Sequence, residues 1–210
     1  MLTEAALAGF VVALFSMMNP IGNVGVFAGM TADRKEDQAR RIAWTCAAAV
    51  AIILLIIAWS GSVMLTFFGI TVDSLRAGGG VIVLLIGLHM LFNKSEHAHT
   101  PAEVEEAKSR DSIAVVPLAI PMVAGPGSMA TVLVAAQQHP SAINRAEISV
   151  VVVGLAALCG LLFSFATPLS RGLGKTGMGV VTRVMGMVLV AIAMGMLAGG
   201  LKEMLPGLAG

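Results

Sequence analysis

The stretch SMMNPIGNVGVF, residues 16–27, lies inside a run from Ala5 to Ala32 that contains no Asp, Glu, Lys or Arg. That run is 28 residues long, and about 20 apolar residues of helix cross the hydrocarbon of a bilayer. Near its middle sit Asn19, Pro20, Gly22 and Asn23. Proline removes a backbone donor and clashes with the preceding turn, and glycine permits dihedrals that unwind a helix. Backbone freed in this way is tolerated in a membrane only against protein or a polar cavity, never against lipid. The stretch therefore predicts a membrane-crossing helix that breaks partway and turns its broken backbone inward.

The rest of the chain agrees. Of 210 residues, 57% are hydrophobic and 12% charged, half the charged share an ordinary soluble domain carries. Charge-free runs recur at Ile42–Val72, Ala77–Asn93, Ser112–Asn144, Ile148–Ser170 and Val184–Leu201. Each is long enough to cross once, none twice, and all are continuously apolar rather than alternating, which indicates helices and not barrel strands. The expected fold is an all-α membrane protein of six transmembrane helices, at roughly 4–30, 40–62, 74–92, 112–136, 147–168 and 180–201. No basic segment precedes the first apolar run, so the first helix is expected to act as the insertion signal.

Connections distribute their cations unevenly. Arg34, Lys35, Arg40, Arg41, Lys94, Lys108, Arg110, Arg171, Lys175 and Arg183 fall on one side, and Arg76, Arg145 and Lys202 on the other. Ten against three puts the first side in the cytoplasm, with both termini outside. A net charge of +1 gives no reason to expect nucleic acid as a partner.

A second interruption follows at Pro117, Pro121 and Gly125-Pro126-Gly127. Pro20 and Pro126 are 106 residues apart, and Arg76 and Arg183, which open the third and sixth helices, are 107 apart. With Arg76 placed on Arg183, Gly79 falls on Gly186, Val81 on Val188 and Val83 on Val190. The chain reads as two inverted three-helix repeats, 1–92 and 112–210, joined by a polar cytoplasmic loop at 93–111. An odd number of helices per repeat reverses the second copy in the membrane, an architecture common among secondary transporters.

Two broken helices offer N–H groups and carbonyls at the centre of the bilayer. The first suit a carboxylate and the second an ammonium. A small zwitterion could bind without any charged side chain, and the helix interiors contain none. The substrate-binding candidates are Asn19, Pro20, Gly22 and Asn23 on the first break and Gly125, Pro126, Gly127, Ser128 and Thr131 on the second. Ser16 and Thr45 are further polar candidates. The bland alternative for each hydroxyl is a bond to its own helix.

MNPIGNVGVF, PLAIPMVAGPGSMATV and the third-helix opening LRAGGGVIVLLIGLHMLF resemble the MarC family of bacterial and archaeal inner-membrane proteins over essentially the whole chain. That family is grouped with amino-acid exporters of the LysE type, and some members are described as transporters of small neutral amino acids such as glycine and alanine. The resemblance implies that substrate class and an inner-membrane location. Many members carry an aspartate before the first proline, where this chain has Asn19.

The leading expectation is thus a secondary transporter, working as an exporter of small neutral amino acids by alternating access. A passive channel or facilitator for a small polar solute or ion is the alternative. A redox carrier using Cys46 and Cys159 is a third reading, although both cysteines suit small core positions better. Arg76 and Arg183 are candidates for gating, with Asp73 and Glu147 as partners, or for snorkelling helix ends. No nucleophile–base pair, zincin motif or phosphate loop is present, so neither catalytic residues nor a cofactor are expected. His97 and His99, among the glutamates of the 93–111 loop, read as a solvated connector rather than a metal site. His89 could shuttle a proton or sit at the interface, and His139 is expected in solvent. Trp44 and Trp59 are expected as interface anchors. The expected partners are the lipid bilayer and a small zwitterionic substrate, with homo-oligomerisation left open.

Overall fold

In the computed structural model, residues 2–92, 114–205 and 207 are described, and all the regular structure among them is helical. The elements are α1 (Glu4–Met18), α2 (Val24–Met30), α3 (Glu36–Phe68), α4 (Val72–Phe92), α5 (Ala114–Val123), α6 (Pro126–Gln138), α7 (Ala142–Ser164) and α8 (Ala166–Met204). The 93–111 loop, with His97 and His99, lies outside the described residues.

Four helical stretches are long and apolar enough to cross a membrane: Glu36–Gly61, Val72–Phe92, Ala142–Ser164 and Gly179–Met204. The other two expected crossings are the broken ones. The first is α1, a shorter apolar helix, followed by α2, and the second is α5 followed by α6. Within neither pair does one helix lie back along the other, so each interrupted segment runs on past its break instead of forming a hairpin.

The outer surface is what a lipid solvent demands. Val63, Phe67 and Val150 are 70%, 82% and 73% exposed, and comparable apolar side chains cover α3, α4, α7 and α8. Trp44 and Trp59 are half-exposed and about 22 Å apart along α3.

Helix ends follow local chemistry. Thr3 caps α1 by accepting from the Ala6 N–H, and Ser141 caps α7 by accepting from the Asn144 N–H. Glu36 and Asp37 occupy the first turn of α3, where the helix dipole favours acids. Gly69, at φ 64°, ends α3 in the left-handed conformation.

Several boundaries differ from expectation: the second helix runs from Glu36 to Phe68 rather than 40–62, and the fifth starts at Ala142 rather than near 147. The fifth helix stops at Ser164, not near 168, because Pro168 seats in the first turn of a new helix, where its missing N–H costs nothing. The 169–179 connection is itself helical and belongs to α8, interrupted only at Gly174, where φ is 61° and ψ 179°.

Each long helix packs antiparallel against the one about half a chain away. In the α3–α7 pair, the Trp59 indole N–H donates to Ser149 Oγ at 3.1 Å, while a Cβ on Gly160 would sit 2.9 Å from Ala47 Cβ. In the α4–α8 pair, Gly80 faces Ala193 and Leu197, Gly87 faces Gly186, and Gly200 faces Asp73 and Ala77. A Cβ on Gly87 would lie 3.0 Å from the Gly186 carbonyl, and one on Gly186 3.0 Å from the Gly87 carbonyl. In lipid no hydrophobic drive pulls helices together, so such backbone-to-backbone contact is what holds them. The core fills the space between α1, α2, α3, α5, α6 and α7, where Phe27 of α2 stacks on Phe163 of α7 at 4.8 Å.

Candidate functional site

At the first break Asn19 takes φ 44° and ψ 52°, the sole positive φ outside glycine among the described residues. Asparagine tolerates this region because its side chain can bond locally. Here Oδ1 accepts from the Gly22 N–H at 3.3 Å. Gly22 must be small for this to happen, since a Cβ there would lie 2.6 Å from that oxygen. Asn23 Nδ2 reaches back to the Met18 carbonyl at 3.0 Å. Asn23 N–H donates to the Asn19 carbonyl at 3.1 Å.

The second break is built differently and ends in the same device. Prolines at 117 and 121 withhold two donors, and α5 is wound as a π-helix, with Ala124 N–H donating to the Ala119 carbonyl at 2.8 Å. Gly125 is extended and Pro126 opens α6. Ser128 Oγ, fully buried, donates to the Val123 carbonyl at 2.7 Å. In both breaks a side chain five residues on satisfies the carbonyl that the lost turn exposed.

The two breaks line one cavity of about 1710 Å³. Asn19, Gly22, Asn23, Gly125, Pro126, Gly127 and Ser128 all border it. Pro20 does not, and Thr131 lies in a second, smaller cavity and donates to the Gly127 carbonyl of its own helix. Ser16 is buried in α1 and lines neither cavity, while Thr45 is exposed and bonds back to the Arg41 carbonyl. Of the polar side chains at the breaks, the Asn19 amide nitrogen is the least satisfied. Asn19 is 8% exposed, and its Nδ2 has only the thioether of Met90, at 3.7 Å, a weak acceptor.

The large cavity opens at the end of the bundle that carries Arg34, Arg40, Arg171 and Arg183, with Glu36 paired to Arg40 at 2.8 Å. His89 also lines it. Its floor is apolar: a Cβ on Gly127 would lie 2.8 Å from Val83 Cγ2 and 3.1 Å from Met17 Sδ. Beyond the floor is the small cavity, about 310 Å³, lined by Arg76, Thr131, Gln138 and His139 with apolar neighbours. His139 is thus partly enclosed rather than free in solvent. The expected partners of the two arginines do not form. Arg76 and Arg183 form no ion pair among the described residues, and Glu147 instead accepts from the Leu2 N–H at 2.8 Å.

Sequence reasoning missed the methionines at 17, 90 and 122 and the Phe27–Phe163 stack, which shape the wall. Nothing marks a lining methionine apart from its neighbours in an apolar helix. Cys46 and Cys159 are buried in the α3–α7 packing, away from either cavity.

Lipid-facing helices enclosing a cavity between two interrupted segments define an integral membrane protein with a polar interior site. The chain belongs to the MarC family: the profile described as "MarC family integral membrane protein" matches residues 5–205. It is similar to the UPF0056 membrane protein YhcE of Escherichia coli, at 36% identity over 95% of this chain and 93% of that protein. The UPF0056 membrane protein YvbG of Bacillus subtilis is 35% identical over 93% of each. An archaeal relative, UPF0056 membrane protein MJ1677 of Methanocaldococcus jannaschii, is 34% identical over 90% of this chain and 93% of its own. No solved structure matches the chain.

Proposed function

We propose that this protein is a secondary transporter of small neutral amino acids, working as an exporter by alternating access. One observation carries the reading: a wide cavity runs from the arginine-rich end to both helix breaks and stops at the Met17–Val83–Gly127 floor. A carrier needs such a blind vestibule, whereas an open pore does not, so the floor favours a carrier over a channel. Positive charge marks the cytoplasmic side, which makes this the inward-open state. Antiparallel pairing of α3 with α7 and α4 with α8 supports two inverted three-helix repeats, and the interrupted segments then complete six crossings.

The substrate's carboxylate would take the free Asn19 Nδ2 hydrogens. Its ammonium would approach carbonyls around the breaks. Among the described residues no carboxylate lies at the breaks, and the mouth carries Arg34, Arg40, Arg171 and Arg183 beside Glu36, which disfavours cationic amino acids.

Proteoliposomes should accumulate labelled alanine or glycine by counterflow when preloaded with the same unlabelled compound, and should not do so with lysine. Simple equilibration without a counterflow overshoot would mean a channel. No exchange of any neutral amino acid would remove the proposal.

A further inference from the structure

We infer that Arg76 is a second carboxylate anchor, holding the substrate's carboxylate in the small cavity on the far side of the Met17–Val83–Gly127 floor. The inference rests on the proposed passage of a small amino acid and assigns the opposite end of its path.

The small cavity has room for several water molecules. Arg76 is a guanidinium in its wall, Thr131, Gln138 and His139 supply further polar groups, and no Asp or Glu among the described residues lines it. The guanidinium is half-buried and has no ion pair among the described residues. Asp73, almost one turn earlier on the same helix, does not pair with it. A half-buried cation without a counter-ion in a cavity that holds water is a ready partner for an anion that enters it.

Snorkelling would relieve that cost by carrying the charge outward, but the side chain lies across α8. A Cβ on Gly199 would sit 2.6 Å from Arg76 Cζ, so α8 lacks a side chain where the guanidinium rests. The chain repeats the placement: Arg183, 107 residues later, lines the wide cavity. One arginine at the start of each repeat's last membrane helix thus faces each vestibule. The carboxylate is the one charged group, shared by all neutral amino acids, that both could hold, and the guanidinium fork matches its geometry.

The test uses an Ala6→Cys reporter, which lines the small cavity, in a Cys46→Ala/Cys159→Ala background. A membrane-impermeant maleimide is applied at the narrow end of the protein in vesicles. Acetate and alanine should slow labelling, and alaninamide, which lacks the carboxylate, should not. Arg76→Ala should raise the protecting concentration about tenfold, the loss expected for one charge-assisted bond, while Arg183→Ala leaves it unchanged. Should Arg76→Ala fail to insert, Gly199→Leu displaces the guanidinium without removing it and should lose protection equally. No protection by acetate or alanine, or protection indifferent to both variants, overturns the inference. Alanine counterflow in the parent is measured in parallel. Counterflow without protection defeats this inference alone, and acetate protection without counterflow defeats the transport reading and leaves a carboxylate site.

Discussion

Asn19 combines a backbone role with a chemical one, and a pair of substitutions separates them. Its left-handed conformation costs an ordinary residue about 1–2 kcal/mol, and glycine adopts it freely. Asn19→Gly should therefore insert and melt like the parent yet lose alanine counterflow, because the Nδ2 donor is gone. Asn19→Leu should lose both counterflow and about 1–2 kcal/mol of stability, read as a lowered melting temperature in detergent. Full counterflow by Asn19→Gly would show that only the bend matters. A third variant, Asn19→Asp, puts an acid at the same position. A carboxyl group is neutral at low pH and charged at high pH, and once ionised the introduced carboxylate repels that of the substrate. Uptake by this variant should thus fall with rising pH more steeply than uptake by the parent, and parallel pH profiles would contradict the assignment. The sequence showed that an asparagine beside proline in an apolar helix needed explaining. It did not show that Oδ1 is held by Gly22, so that only the nitrogen end faces the cavity.

The interrupted helices show where reading an element from sequence stops. Breaker residues located both interruptions, since proline and glycine act through local backbone chemistry. They also suggested Asn23 and Ser128 as ligands for substrate, whereas both donate to main-chain carbonyls, Asn23 to Met18 and Ser128 to Val123. The reason is solvation: in water an exposed carbonyl finds a partner, but inside a bilayer the nearest hydroxyl or amide must serve. Giving those hydrogens to a substrate would leave the carbonyls bare, and only the acceptor oxygens of both side chains and the second Asn23 N–H would remain for a ligand. Ser128→Ala should accordingly destabilise the protein by about 1–3 kcal/mol, the cost of a buried acceptor left unmet. Substrate affinity should change little, as a half-saturation measurement would show. A large affinity loss with unchanged melting would return Ser128 to the substrate. Helix boundaries were less legible still. The helical 169–179 segment, with Arg171, looks like a polar loop by charge alone.

Across the whole molecule, the half-chain spacing of Arg76 and Arg183 was visible in sequence, and the structure packs α4 antiparallel to α8. Gly87 and Gly186 bring the two backbones together. Gly186→Leu should cost about 1–3 kcal/mol through overpacking and is expected to melt early whatever the substrate. The proposed transport, by contrast, requires the floor to open. With the floor closed, the wide cavity reaches both breaks and the small cavity is cut off from them by Met17, Val83 and Gly127. Alternation needs that contact to part while the wide mouth narrows around Phe27 and Phe163. A Met17→Cys/Gly127→Cys pair in a background lacking Cys46 and Cys159 places two sulfurs across the floor, on α1 and α6. Oxidation should join them and abolish alanine counterflow, and a reductant should restore it. The cross-linked protein should still admit a thiol reagent to a cysteine in the wide cavity, because only the far side has been sealed. Undiminished counterflow after complete cross-linking would mean that substrate passes elsewhere, and that the Met17–Gly127 contact is packing and not a gate.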